Sequence, residues 1–422
     1  MVEVWLPYGN SEVPVRIKEE NLIGIFNPKE AKIVENIQLE IKNALENPIG
    51  TEKLSKLLNP KSKVAIVVND FFQIPFINLI LESTIEQIKA GGIKDENISI
   101  IVATSYKKSQ VNEKSLYKVF NANLLNKFKI FVHDCNSKDL VYLGETSFKN
   151  KLYLNKEFMN SDFKILVGKL SFHYFSGYGG CVKSIIPGIS AIETIKHNYS
   201  MITNENCKPG LTLENPVFEE SFEASKTAGV NFIINVVLNS KKDLLKVFAG
   251  DFENAFFEGI KFLDEICKVK VEKKADIAII SAGGNPYDLT FDQASKCLQN
   301  IIDSVNENGV IILLAECSNG YGDEVFFNSM KKFKNSFEEF KHEIKKRFVI
   351  GYQKAYFLIK SLEKFKIYLV STLPDYYVSK VFGLKPFITA NSALQSAIRY
   401  VGKDSKVLVS PIGNSMLIMA KA

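Results

Sequence analysis

The chain has 422 residues, 46% of them hydrophobic and 24% charged, with a formal net charge of +6. That length exceeds one ordinary hydrophobic core and favours two or three domains. No apolar run approaches the roughly 20 residues a membrane helix needs, and the basic Lys331-Lys332-Phe333-Lys334 is followed by Glu338-Glu339, which describes a solvated helix face rather than a nucleic-acid footprint.

The opening Met1-Val2-Glu3-Val4-Trp5 lacks a basic segment followed by an apolar one, so a cytoplasmic location is expected. Cys135, Cys181, Cys207, Cys267, Cys297 and Cys317 form no CxxC pair, which suits reduced thiols better than a disulfide scaffold or a zinc knuckle. Val64–Val68 is a β-branched run of the buried-strand type and ends in Asn69-Asp70. A helical segment, Phe76–Ala90, follows and is stopped by Gly91-Gly92. Ile98–Val102 and Phe163–Val167 repeat the strand pattern, leading to Ala103-Thr104-Ser105 and to Gly168. Strand, helix and strand at this spacing predict a parallel sheet.

A second series begins near residue 271, after the charged stretch Lys268–Lys274, which reads as a linker. It contains a strand at Asp276–Ser281, the loop Ala282-Gly283-Gly284-Asn285-Pro286, a helix over Thr290–Val305 and a strand at Val310–Leu314. Ile367–Ser371 and Lys406–Ser410 are further strand candidates. The fold class is therefore α/β, with two α/β domains built on mainly parallel sheets. The boundary falls near 270, giving residues 1–270, with 410–422 as a candidate completion, and residues 271–409. Open parallel sheets hold ligands beyond the carboxyl ends of their strands, so the loops after residues 68, 102, 167 and 281 are the place to look.

The most unusual segment is Ser171-Phe172-His173-Tyr174-Phe175-Ser176-Gly177-Tyr178-Gly179-Gly180-Cys181-Val182-Lys183-Ser184. Its glycines permit a positive φ or a close approach of backbone to ligand, and Lys183 and Ser184 follow where a cation and N–H groups can hold an anion. The Walker A spacing is absent. A glycine-rich turn with a surface lysine would read the same from spacing alone, and a single histidine is more often structural than catalytic.

The stretch from Phe172-His173 through Gly177, Gly180, Lys183-Ser184-Ile185 and Pro187-Gly188 resembles the core motif of the nickel-dependent lactate racemase family. Leu6-Pro7-Tyr8-Gly9, Asn47-Pro48-Ile49-Gly50, His133-Asp134-Cys135, Glu193-Thr194-Ile195 and Asn215-Pro216 agree in order. So do Ser281-x-Gly283-Gly284-x-Pro286-x-Asp288, Gln293-Ala294-x-Lys296 and Glu316-Cys317-Ser318-x-Gly320-x-Gly322, and the resemblance spans nearly the whole chain.

The resemblance implies a racemase or epimerase of a 2-hydroxy acid or sugar acid, with an active-site cleft between the two domains. Its cofactor would be a nickel pincer nucleotide, a pyridinium mononucleotide with two sulfur donors and a carbon gripping nickel. Lys183 matches the tether, with Asp70, Gly177, Gly180 and Ser184 around the cofactor. His173 matches one of two bases acting on the substrate hydroxyl, and Gln293 and Lys296 match substrate-holding groups. Tyr352 is a further candidate for stacking on substrate. Cofactor-maturation proteins would be the partners, with no nucleic acid or membrane.

Three positions depart from the pattern. Gln73 stands where a carboxylate-binding arginine is expected, and it cannot form the charged two-pronged pair. Lys107 stands at the first catalytic histidine and would be either a base, with its pKa lowered, or an anion anchor. Tyr199 stands at the nickel-binding histidine. His197 is the nearest substitute, but in a helix at 3.6 residues per turn two residues apart are about 200° apart. Otherwise His197 reads as a surface histidine near a helix end. The competing reading is a member without nickel that binds an anionic metabolite or nucleotide, or runs a non-redox reaction in the same cleft. A purely structural or interaction role is disfavoured by the polar loops at the strand ends.

Overall fold

The computed structural model describes residues 1–69, 71–106 and 111–421. Two compact units emerge, one formed by Met1–Glu30 with Glu265–Ala422 and the other by Ala31–Asp264.

The Ala31–Asp264 unit is built on a six-stranded sheet in the order Leu244–Gly250, Phe232–Leu238, Phe163–Lys169, Val64–Val68, Ile98–Val102, Lys129–Val132. All neighbours are parallel except the edge pair Leu244–Gly250 and Phe232–Leu238. Val64–Val68, Ile98–Val102 and Phe232–Leu238 are buried at every position, which is why they read as unbroken apolar runs rather than alternating ones. The helix Ile77–Ala90 buries Ile77, Ile80, Leu81, Thr84, Ile85 and Ile88, one stripe at helical spacing laid on the core. Its last turn closes at Gly91, whose N–H meets the Gln87 and Ile88 carbonyls.

The other unit carries a six-stranded sheet, parallel throughout, in the order Lys385–Phe387, Lys366–Val370, Val305–Leu314, Ala275–Ser281, Val407–Ser410, Leu22–Ile25. This differs from the expected assignment of residues 1–270 to one domain. The strand Leu22–Ile25 pairs with Val407–Ser410, and the hairpin of Val2–Tyr8 with Ser11–Ile17 buries Val4, Leu6, Val15 and Ile17 with Ile277, Ile279 and Ile312. The first thirty residues therefore fold with the C-terminal half. Residues 410–421 stay there too: Leu417–Ala420 pairs with Lys268–Val271, so the first four residues of the charged stretch expected as a linker form a strand.

The helix expected over Thr290–Val305 is also broken up. Phe291–Ala294 is helical, 3-10 turns cover Ser295–Asn300 and Ile302–Ser304, and Val305 already starts the next strand. The reason is tertiary: Gln299 donates to Ser361 Oγ at 3.0 Å and Asn300 to the Gly413 carbonyl at 2.8 Å, bonds a continuous surface helix would not make. Among the described residues no helix is long and apolar enough to cross a membrane.

Candidate active site

At the carboxyl end of Phe163–Lys169 the chain makes a two-residue hairpin, Phe172–His173 against Gly177–Tyr178, with His173 opposite Gly177. Gly177 and Gly180 both take positive φ, +73° and +86°. A Cβ on Gly177 would overlap the Leu211 carbonyl, and one on Gly180 would lie 2.8 Å from Asn235 Oδ1. These glycines thus let the loop pack on its own protein. Asn235 Oδ1 accepts the Cys181 N–H at 3.0 Å, and the Tyr178 hydroxyl donates to Asp264 at 2.7 Å, so both flanks of the loop are pinned. Burial first, then the Asp264 carboxylate, pushes the Tyr178 pKa far up and keeps that donor protonated.

At the pinned loop the sequence candidates Lys183 and His173 are joined by Tyr199. Lys183 Nζ donates to Ser176 Oγ at 3.4 Å and lies 5.4 Å from the centre of the Phe175 ring and 5.6 Å from that of Tyr199. The Ser176 N–H donates to His173 Nδ1 at 3.1 Å. The Phe175 ring meets His173 edge-on at 4.6 Å and Tyr199 at 5.0 Å. Ser176 and Phe175, which sequence reasoning passed over, therefore join the tether candidate to the histidine. The signal available was only that both lie inside the motif. Ser184 is fully buried, and its hydroxyl has no partner among the described residues; the Ser105 and Ser190 hydroxyls share that state. Ser105 N–H donates to the Gly188 carbonyl at 3.0 Å, which ties its loop to the one after Lys183.

Gln73 is exposed and its Oε1 accepts from Lys169 Nζ at 3.0 Å. Among the described residues Lys169, which the sequence did not single out, brings a positive charge to Gln73. Asp70 and Lys107 lie outside the described residues. Tyr199 and His197 both sit on the helix Ile192–Ser200. Tyr199 is buried, whereas His197 Nε2 donates to the Phe148 carbonyl at 3.0 Å. The helix leaves no irregularity that would swing His197 to the Tyr199 side. Among the described residues, no three His, Cys, Asp or Glu side chains are grouped to hold a metal.

These residues can be tested against a pincer nucleotide. The half-buried Lys183, followed in the chain by Ser184 with its buried, unpartnered hydroxyl, fits a tethered polar group, since such a hydroxyl is costly to leave unpaired. The donor set for nickel does not fit, because a phenol replaces the imidazole that suits the metal.

In the other unit, Lys296 Nζ lies 3.4 Å from Gln293 Oε1, both at the surface. Between Gln293 and Thr290, Asp292 turns inward and forms a buried ion pair with Lys354 while accepting the Thr290 hydroxyl at 2.6 Å. Burial pushes the Asp292 pKa up, but Lys354, Thr290 and Lys296 outweigh it and hold the carboxyl below its ordinary value. Tyr352 opens the helix Tyr352–Lys364 and packs against Phe340 at 5.1 Å and Phe348 at 6.2 Å. The residue of that helix that reaches the Gln293 segment is Lys354, which its sequence context did not distinguish from a surface lysine.

Three of the motifs far apart in sequence meet at Asp288. Its Oδ2 accepts the N–H groups of Gly9 at 2.7 Å and Glu316 at 3.1 Å, and its carbonyl accepts Cys317 N–H at 2.8 Å. They knit the N-terminal hairpin to the loops at the strand ends.

Comparison with known proteins places this arrangement. The lactate racemase N-terminal domain matches residues 8–210 and the lactate racemase C-terminal domain residues 270–418. The lactate racemase of Thermoanaerobacterium thermosaccharolyticum is 30% identical over 430 residues, covering 100% of both chains. That of Lactiplantibacillus plantarum is 27% identical over 426 residues, covering 99% of this chain and 100% of its own. The structure of the Thermoanaerobacterium thermosaccharolyticum lactate racemase apoprotein superposes with a TM-score of 0.90 at 29% identity, covering 99% of this chain and 100% of that one. The chain belongs to the lactate racemase family.

Proposed function

We propose that the protein is a cytoplasmic isomerase, a racemase or epimerase that inverts the carbinol carbon of a 2-hydroxy acid or sugar acid. The observation that carries this reading is the linked cluster of Lys183, Ser176 and His173 at a sheet's carboxyl end. A pincer nucleotide on Lys183 would supply a hydride acceptor for that inversion. The chain's own residues bind and orient. Lys169 and Gln73 supply a cation and an amide suited to a carboxylate, and in the other unit Gln293 and Lys296 form a like pair. His173 serves as one base on the substrate hydroxyl, and Lys107 as the other base or as an anion anchor. Cofactor-maturation proteins are the expected partners. Lactate, for which the relatives are named, is the first substrate to assay.

A second reading has a specific observation behind it. Tyr199 is buried beside Lys183 while His197 is held by the Phe148 carbonyl, which supports a member that uses this site without nickel. One sample separates the two: intact mass and elemental analysis of protein co-expressed with the cofactor-making proteins, together with chiral assay of hydroxy acids. Added mass on Lys183 with bound nickel and racemisation supports the first reading. An unmodified Lys183 and no nickel refutes it.

A further inference from the structure

We propose that the unit formed by Met1–Glu30 with Glu265–Ala422 carries a second ligand site, outside the loops at its strands' carboxyl ends, and that this site takes the anion of a medium-chain fatty acid.

Strand alternation locates the site. A groove of about 460 Å³ touches Leu22 and Ile23 on one strand and Lys270 and Val271 on another. Consecutive residues of a strand point to opposite faces of its sheet. A groove that meets both members of each pair therefore runs along the edges of Leu22–Ile25 and Lys268–Val271. Neither edge is covered by a further strand among the described residues. Leu22–Ile25 ends its sheet with Val407–Ser410 as its neighbour, and Lys268–Val271 pairs with Leu417–Ala420. Just beyond one end the two segments meet, where the Lys29 N–H donates to the Ile266 carbonyl at 2.9 Å. The groove is thus a slot between two strand edges, bounded at that end.

Its wall and its rim differ in chemistry. Leu22, Ile23 and Phe26 form a half-buried apolar wall. The Phe26 ring lies against Gly24, where a Cβ would come within 3.0 Å of it, so the glycine lets the ring fold down along the strand. The rim carries Lys270, Lys273 and Lys406. Its one carboxylate, Glu272, is paired with Lys421. Lys406 Nζ donates to the Glu20 carbonyl at 2.7 Å, which leaves its charge unneutralised. Lys270 and Lys273 have no acidic partner among the described residues. An apolar wall under three uncompensated ammonium groups suits a ligand with an aliphatic body and an anionic head.

Size and position narrow the class. The volume lies within the roughly 300–1,000 Å³ of small-molecule sites. Each strand has four residues, roughly 13 Å, which fits a medium-chain tail. Lys273 and Lys406 stand just before the strands Ala275–Ser281 and Val407–Ser410, so the anionic head belongs at the amino end of the parallel sheet. Asp288, Gln293 and Lys296 follow the carboxyl end of Ala275–Ser281. The site is therefore separate from the groups of this unit that match substrate binding.

Calorimetric titration of the full-length protein with butanoate, hexanoate, octanoate and decanoate, each below its micelle concentration, tests the assignment. Affinity is expected to rise about two- to fourfold for each added methylene, with a Kd below about 1 mM at decanoate. Octanol, which has the tail of octanoate without its charge, should bind about tenfold or more weakly at low salt, and Lys270→Glu/Lys273→Glu should cost octanoate as much. Ile23→Asp puts a charge in the wall and should abolish saturable binding, with circular dichroism reporting whether the fold is kept. Where it is not, the surface lysine variant decides alone. No saturable binding of decanoate overturns the proposal, and so does binding that the lysine variant leaves unchanged. Equal affinity for octanol and octanoate overturns recognition of the anion. Sedimentation with anionic phospholipid vesicles in the absence of decanoate binding would make a membrane surface the occupant and refute the proposal.

Discussion

The buried pair Asp292–Lys354 offers a measurement that tests how the Gln293–Lys296 segment is held. The two side chains are only 5% and 8% exposed, so solvent screens their interaction little. Lys354→Met keeps the length of the side chain and removes the charge, leaving a carboxylate in a nearly dry site. Breaking a buried pair from one side costs about 3–5 kcal/mol. Thr290 still donates to Asp292 Oδ1 at 2.6 Å and Lys296 still contributes attraction, so the lower end, about 3 kcal/mol, is expected. At about 2–4 °C per kcal/mol for a domain of roughly 150–250 residues, the melting transition of this unit should fall by about 6–12 °C. The pH dependence has a definite sign. The folded pKa of Asp292 lies below the ordinary aspartate value of 3.8, so the wild-type contribution is complete above that pH and is lost as pH falls through the folded pKa. In the variant the unpaired carboxylate can take up a proton instead, so the gap between the two proteins narrows on acidification. Calorimetry from pH 7 to below pH 3.8 reads both effects. The double variant Asp292→Asn/Lys354→Met should recover much of the loss, since no lone charge remains. A single variant within about 1 kcal/mol of wild type would refute the view that this pair is desolvated and anchors the segment.

Tyr199→His places an imidazole beside Lys183, and nickel retained after co-expression with the maturation proteins should rise towards one per chain; unchanged nickel would mean the phenol is not what the metal lacks. Gly177→Ala forces a side chain into φ +73° and onto the Leu211 carbonyl, and should destabilise by more than the roughly 1–2 kcal/mol of left-handed strain alone, read as a shift in urea midpoint. Lys169→Ala removes the cation at Gln73 and should raise KM for an anionic substrate about 10- to 100-fold, the worth of a charged hydrogen bond, with kcat changed little; a kcat loss at constant KM would remove Lys169 from substrate binding.

What the sequence could and could not reveal follows from where each signal is stored. Val64–Val68 and Ile98–Val102 were legible because both faces of a parallel strand are covered, so burial writes itself as a continuous β-branched run. The allegiance of residues 1–30 was not. Leu22–Ile25 is a four-residue edge strand whose partner, Val407–Ser410, lies at the far end of the chain, and nothing in local periodicity encodes a pairing of that separation. The site divides in the same way. Lys183, His173 and Tyr199 carry their chemistry in the side chain, and the structure does bring them together. Ser176 acts on His173 through an N–H that every residue but proline carries, so no choice of amino acid marks it out. Lys354 reads as one more lysine on an amphipathic helix until its burial against Asp292 is known. Residue identity tells which reactions are available to the cluster. Which partners its side chains meet, such as the Ser176 N–H at His173 Nδ1, is set by the backbone of a hairpin turn.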